Sequence, residues 1–232
     1  MKIASTKTTV FCLFTLLFSI TSNANAEAPT TELTSTYLFH HLHTSDINEH
    51  LPVIRRFAKE CSSAVEIGVR SMVSTWSVLH GLTESPYDSP VYLGIDLEYP
   101  PEYKFNLAKK LATDNGISFQ FCAGNDLDMD IPMTDLLFID TLHTYQQLTY
   151  ELEKFSSNTK KYIILHDTSQ YFEFNNCESY NGDYSEYPTS ISRTKKGLWP
   201  AVLDFLTHHP EWSLKERHLN NNGLTVLNRN AE

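Results

Sequence analysis

Three observations predict an α/β fold: a doubly wound, mostly parallel Rossmann-like sheet with an antiparallel C-terminal strand pair and an N-terminal helical cap. Short apolar runs alternate with helical stretches from residue 64 onward. The runs are apolar almost throughout, as expected for strands buried on both faces. The last two run on either side of Asn220-Asn221-Asn222-Gly223, and Asn-Gly is a strong hairpin signal.

The chain opens with Lys2 and Lys7, an apolar run over 10–20, and then Ser22-Asn23-Ala24-Asn25-Ala26, an A-x-A pattern. That run is shorter than the roughly 20 residues needed to span a bilayer. Residues 1–26 therefore read as a cleavable signal peptide, which makes the expected location periplasmic or secreted, with no stable membrane anchor after cleavage. Residues 27–60 read as the helical cap, with Leu51, Ile54, Phe57 and Ala58 at helical spacing and Ser45 as an N-cap. Residues 61–232 form the Rossmann-like domain.

Within that domain strands are expected at 64–67, 91–95, 117–121, 136–139 and 162–165, with helices at 75–82, 102–114 and 145–155 between them. A helix at 198–207 and strands at 212–219 and 224–227 complete it. Residues 168–197 are expected to have little regular structure. They carry Tyr171, Phe172, Phe174, Tyr180, Tyr184 and Tyr187, and an irregular stretch this long is usually functional, here a lid and acceptor loop.

Lys and Arg number 18 against 28 Asp and Glu. Removing the two lysines of the leader leaves a net charge of −12, which argues against nucleic acid and anionic membrane as partners. A small-molecule acceptor is the expected partner; nothing in the sequence sets an oligomeric state. Cys61, Cys122 and Cys177 fit either one disulfide with a spare thiol or three reduced thiols.

Ligands of open parallel sheets bind beyond the carboxyl ends of the strands. Glu66 and Gly68 follow the first strand here, Asp96 the second, Asn125 and Asp126 the third, Asp140 the fourth, and His166-Asp167 the fifth. Each alone has a plainer explanation. Glu66 or His143 could cap a helix, Asp96 could serve a turn, and Asn125-Asp126 could be a solvated loop. Together the five ends make a site. Asp140 and Asp167 should end neighbouring strands about 4.8 Å apart, and carboxylates that close repel unless a proton or cation lies between them. A divalent metal meets that need, with His166 able to add a nitrogen ligand. His143, three residues after Asp140, could accept a proton there.

Val65-Glu66-Ile67-Gly68-Val69-Arg70-Ser71 resembles the first motif of class I S-adenosylmethionine-dependent methyltransferases, and Tyr92-Leu93-Gly94-Ile95-Asp96 resembles the second. Asp135 to Asp140, His143-Thr144-Tyr145 and Ile164-Leu165-His166-Asp167-Thr168 resemble one branch, the methyltransferase-24 or cephalosporin-hydroxylase-like group, with metal-dependent sugar O-methyltransferases. The likeness covers roughly residues 60–228. It implies that Glu66 and Gly68 lie at the methionine end of S-adenosylmethionine, Asp96 at its ribose, and Asn125 and Asp126 beside the adenine. Asp140, His166 and Asp167 would hold Mg²⁺ or Mn²⁺, with His143 as general base. The implied activity is O-methylation of a small hydroxylated acceptor, sugars among the candidates. Met72 departs from the pattern by standing where the motif usually has a later glycine. Met72 and the export signal leave open an exported binding or effector protein without transfer activity; a metal-dependent hydrolase or hydroxylase is a third reading, since one fold hosts many reactions.

Overall fold

The computed structural model describes residues 31–177, 185 and 187–231, so the segment expected to be a signal peptide (1–26) and the tyrosines at 180 and 184 lie outside the described residues. Two helices come first, α1 (Thr31–Leu42) and α2 (Leu51–Ala58). Five strand units follow: β1 (Ser63–Ile67), β2 (Val91–Asp96), β3 (Ser118–Ala123), β4 (Thr134–Ile139) and β5 (Thr159–His166). Between them run α3 (Val73–Thr83), α4 (Glu102–Asp114) and α5 (Tyr145–Phe155). The chain ends through α6 (Tyr171–Phe174), α7 (Leu198–His208), β6 (Trp212–His218) and β7 (Leu224–Arg229).

The sheet order is β3-β2-β1-β4-β5-β7-β6. The first five strands are parallel; β7 runs antiparallel to β5 and β6 antiparallel to β7. This is the doubly wound sheet with a terminal antiparallel pair that the hydrophobic pattern predicts. Ile139 pairs with Leu165, so β4 and β5 deliver Asp140 and His166-Asp167 side by side.

Alternate residues of each strand feed two cores. Ala64, Leu136, Phe138 and Ile164 meet Ile54, Phe57, Trp76 and Leu79 from the cap and α3. Val65, Ile67, Leu137, Ile139, Ile163 and Leu165 meet Leu148, Leu152, Val202 and Phe205 from α5 and α7. Burial of both faces explains the continuous apolar runs. At the sheet's edges β3 and β6 are half exposed, as single-sided strands must be.

Several expectations need correction. The cap is broken, because Ser45 does not cap a helix. Its amide donates to Asn48 Oδ1 at 3.0 Å within a strap between α1 and α2, and α2 begins after His50 with Pro52 in its first turn. The described residues of the 168–197 stretch include one helical turn, α6. Tyr187 is no open stacking surface, since it is 5% exposed and its hydroxyl donates to Gln147 Oε1 at 2.8 Å. Of the two cysteine states left open by the sequence, the structure has three free thiols at Cys61, Cys122 and Cys177. No helix there is long and apolar enough to cross a membrane.

Candidate functional site

The loop after β1 keeps a glycine-loop backbone without most of its glycines. Gly68, Arg70 and Met72 all have left-handed φ, at 87°, 46° and 65°. A left-handed non-glycine residue costs roughly 1–2 kcal/mol, so the surroundings must hold the loop. Asp96 does so: its Oδ2 accepts from the amides of Val69 (2.8 Å) and Arg70 (2.6 Å), and its Oδ1 from Leu97 (2.7 Å). Met72 turns its side chain into the core beside α3, fully buried, and so away from the crevice that its bulk would otherwise crowd. Gly68 has a steric reason of its own, because a Cβ there would fall on the Asp140 carbonyl.

Glu66 sits differently from the sequence expectation. It lies on the cap side of the sheet, fully buried, and accepts from Ser74 Oγ (2.5 Å), Thr75 Oγ1 (2.8 Å) and Tyr92 Oη (2.5 Å). The carboxyl fastens β1 to the first turn of α3, with no surface left for a ligand. Burial outweighs its three hydroxyl partners and pushes its pKa up to about 7.

Asn125 Oδ1 accepts from Leu127 N and caps a 3₁₀ turn at Asp126–Asp128. Asp126 is mostly buried, 3.3 Å from Gln147 Nε2. Beside it stands Glu151, which sequence reasoning missed. Glu151 is fully buried and accepts from Thr141 Oγ1 (2.6 Å) and Gln147 Nε2 (2.7 Å). Burial, and then the Asp126 charge, raise its pKa well above the usual carboxylate range, so Glu151 keeps its proton beside Asp126. The available signal was its spacing: Leu148, Glu151, Leu152 and Phe155 share the buried face of α5.

The second half of the predicted set converges. Asp140, His166 and Asp167 each offer a ligand atom, all within 4.8 Å of one another. Asp167 reaches this position through a left-handed φ of 58°, which Asp tolerates better than most residues. His143 Nε2 lies 2.9 Å from Asp167 Oδ2 and 3.4 Å from Asp140 Oδ1. Phe172 of α6 covers His143, with ring centroids 4.5 Å apart. Arg217 holds that helical turn, donating to Glu173 Oε1 at 2.8 Å while lying over the Trp199 ring.

The donor set suits a cation. His166 Nε2 faces two backbone carbonyls, Asp46 O at 3.1 Å and Asn221 O at 3.4 Å, so Nε2 bears the hydrogen. Nδ1 then faces Asp167 Oδ2 at 3.1 Å and Asp140 Oδ2 at 3.4 Å, an ion pair while the ring is protonated and a lone pair set among the carboxylates once a cation takes that proton's place. It is buried and makes no aligned hydrogen bond, and Asp167 Oδ1 is likewise buried without a partner. Among the described residues no lysine or arginine pairs with either aspartate. Burial opposes charge on both imidazoles, yet the two carboxylates raise His143 to about 9 and His166 to about 10. The same imidazoles hold Asp140 and Asp167 below the usual range against burial. The cluster thus has an excess of negative charge that protons or a metal must offset.

No protein-family profile and no curated relative matches this sequence. Solved structures match its fold. A Klebsiella pneumoniae protein described as an O-methyltransferase is 16% identical at a TM-score of 0.54, covering 89% of this chain and 93% of its own. The SAH-bound Podospora anserina methyltransferase PaMTH1 is 12% identical at 0.51, covering 87% and 89%. An O-methyltransferase from Bacillus cereus in complex with SAH is 13% identical at 0.51, covering 85% and 89%. At these identities the likeness establishes a shared fold, the class I methyltransferase fold.

Two outcomes follow from the loop and its support. Gly68→Ala should destabilise the protein by about 3 kcal/mol or more in urea unfolding, combining left-handed strain with overpacking. Glu66 should give a stability contribution that is full below its ordinary pKa of 4.5 and is lost as pH rises to about 7. Glu66→Gln should remove that slope from a pH series of melting temperatures.

Proposed function

We propose that the protein is an S-adenosylmethionine-dependent, metal-assisted O-methyltransferase acting on a small hydroxylated acceptor, sugars among the candidates. The observation that carries this reading is the buried Nδ1 of His166, without an aligned hydrogen bond and set 3.1 and 3.4 Å from two carboxylates, at the carboxyl ends of β4 and β5 in the class I methyltransferase fold.

In this reading the loop from Gly68 to Met72 and Asp96 form one wall of the donor crevice. Gly68 lets that wall approach the end of β4, and Asp96 keeps the loop amides of Val69 and Arg70 in register. Asn125 and Asp126 border the adenine end, Asp126 being kept an acceptor by the proton that Glu151 retains. Glu66 acts from beneath, by fixing the first turn of α3. S-adenosylmethionine supplies an electrophilic methyl group, and its transfer needs positioning more than covalent help.

Asp140, His166 and Asp167 would hold Mg²⁺ or Mn²⁺, whose charge lowers the pKa of an acceptor hydroxyl. His143 would be neutral beside such an ion and would accept the hydroxyl proton on Nε2. Phe172, packed on His143, limits water access from the α6 side. Tyr171 and Phe174, 48% and 59% exposed on the same turn, offer ring faces against which a sugar or aromatic ring could rest.

Calorimetric titration should find micromolar S-adenosylmethionine binding, and labelled-methyl transfer to a panel of polyols and phenols should require Mg²⁺ or Mn²⁺. His143→Ala and Asp140→Asn should each lower that transfer by about 10²-fold or more, as expected on losing a general base or a metal ligand. Wild-type rates in both variants would rule out the mechanism. We also assign the protein to export, periplasmic or secreted; N-terminal sequencing of protein from its native host should find a chain beginning near Glu27, whereas an intact Met1 end would exclude it.

A further inference from the structure

The aim of His166 is set by two segments outside both halves of the proposed site. One is the strap between α1 and α2, which supplies the Asp46 carbonyl. The other is the turn between β6 and β7, which supplies the Asn221 carbonyl. Neither Asp46 nor Asn221 lies in a helix or strand.

Asn221 joins them. Its Oδ1 accepts from the Glu49 amide at 3.1 Å, and its Nδ2 donates to the Ser45 carbonyl at 2.9 Å. Its own carbonyl also receives His50 Nε2 at 3.1 Å, and His50 is buried. Next to it, Asn220 Nδ2 reaches Glu49 Oε2 at 2.5 Å. The Asn221 backbone is left-handed, with φ 45°, which turns both its amide and its carbonyl toward the strap. The strap in turn touches the loop after β1, where Asp46 pairs with Arg70 at 3.2 Å.

Nδ1 of His166 can present a lone pair to a cation only while Nε2 keeps the hydrogen, and Nε2 keeps it only while both carbonyls stay in place. We infer that Asn221 is a positioning residue for a divalent cation at Asp140, His166 and Asp167. Its side-chain amide closes the strap onto the β6–β7 turn and thereby fixes the tautomer and direction of the His166 imidazole. This inference rests on the metal reading proposed above, and it extends the metal machinery to a residue that touches no ligand.

The test is titration of the full-length protein with Mn²⁺ alone, by calorimetry and by the Mn²⁺ electron-spin signal, together with imidazole ¹⁵N spectra of His166. Asn221→Gly keeps the left-handed turn and removes both tethers; Asn221→Asp keeps the acceptor for Glu49 and removes the donor to Ser45. N221G should bind Mn²⁺ about ten- to a hundredfold more weakly, the usual range for losing an outer-shell partner. N221D should fall between N221G and wild type, and its own titration decides the matter if N221G does not fold. With Mg²⁺ bound, the wild-type ¹⁵N spectrum should place the single ring hydrogen on Nε2, and that of N221G should show mixed tautomers. A purely structural role would lower the melting temperature while leaving the tautomer and the Mn²⁺ affinity of the folded protein unchanged. Affinities within about twofold of wild type, with the tautomer retained, would overturn the inference while leaving the metal reading standing. Absence of Mn²⁺ uptake by wild type would overturn the metal reading and this inference with it.

Discussion

The backbone of Gly68 lies against the carbonyl of Asp140, and that contact fixes the distance between the two halves of the site. On one side the chain turns into the loop that Asp96 holds by its amides. On the other, the amide of Asp140 donates to the Ile67 carbonyl at 2.9 Å, so β1 and β4 stay paired to their last residues. A side chain at position 68 would push the two strand ends apart. The loop, the carboxylate cluster and the start of α3 all take their places from this one close approach.

Much of this was legible in the sequence, for identifiable reasons. A strand buried on both faces must read as an unbroken apolar run, and its first polar residue marks the edge where the site lies. Asp96, Asp140 and His166-Asp167 are legible in that way. The convergence of Asp140 with Asp167 follows from β4 and β5 being neighbours in a parallel sheet. Glu66 was misplaced because a run of apolar residues hides which face each one takes. Parity resolves it: Val65 and Ile67 face α5 and α7, so Glu66 must face α3, where Ser74 and Thr75 await it. Met72 looked obstructive because a sequence conveys the size of a side chain but not the φ that turns it inward. Asn221 read as a turn residue and nothing more, since its partners lie at the opposite end of the chain.

Two buried acids divide the work of holding the sheet edge, one on each face. Glu66 ties β1 to α3 on the cap side, and Glu151 ties α5 to the loops after β3 and β4 on the other. Burial raises the pKa of both, Glu66 to about 7 and Glu151 well above the carboxylate range, so each carries less charge at neutral pH than a solvent-exposed carboxylate would. Charge is thereby concentrated on Asp140 and Asp167, where the imidazoles meet it. A buried neutral acid can both donate and accept, which suits it to bracing a loop without competing for a cation.

The tie between the strap and the β6–β7 turn has a temporal consequence. Its hydrogen bonds join residues 170 to 176 positions apart, close to the full span of the described chain. Contacts so distant in sequence form late, because a long loop must close before they bring any gain. A chain emerging from its N-terminus can pair β1, β2 and β4 and still lack the carbonyls that aim His166. The orientation of His166 is therefore among the last features to mature, after the final hairpin has docked, and a partly synthesised chain holds the aspartates without their oriented histidine.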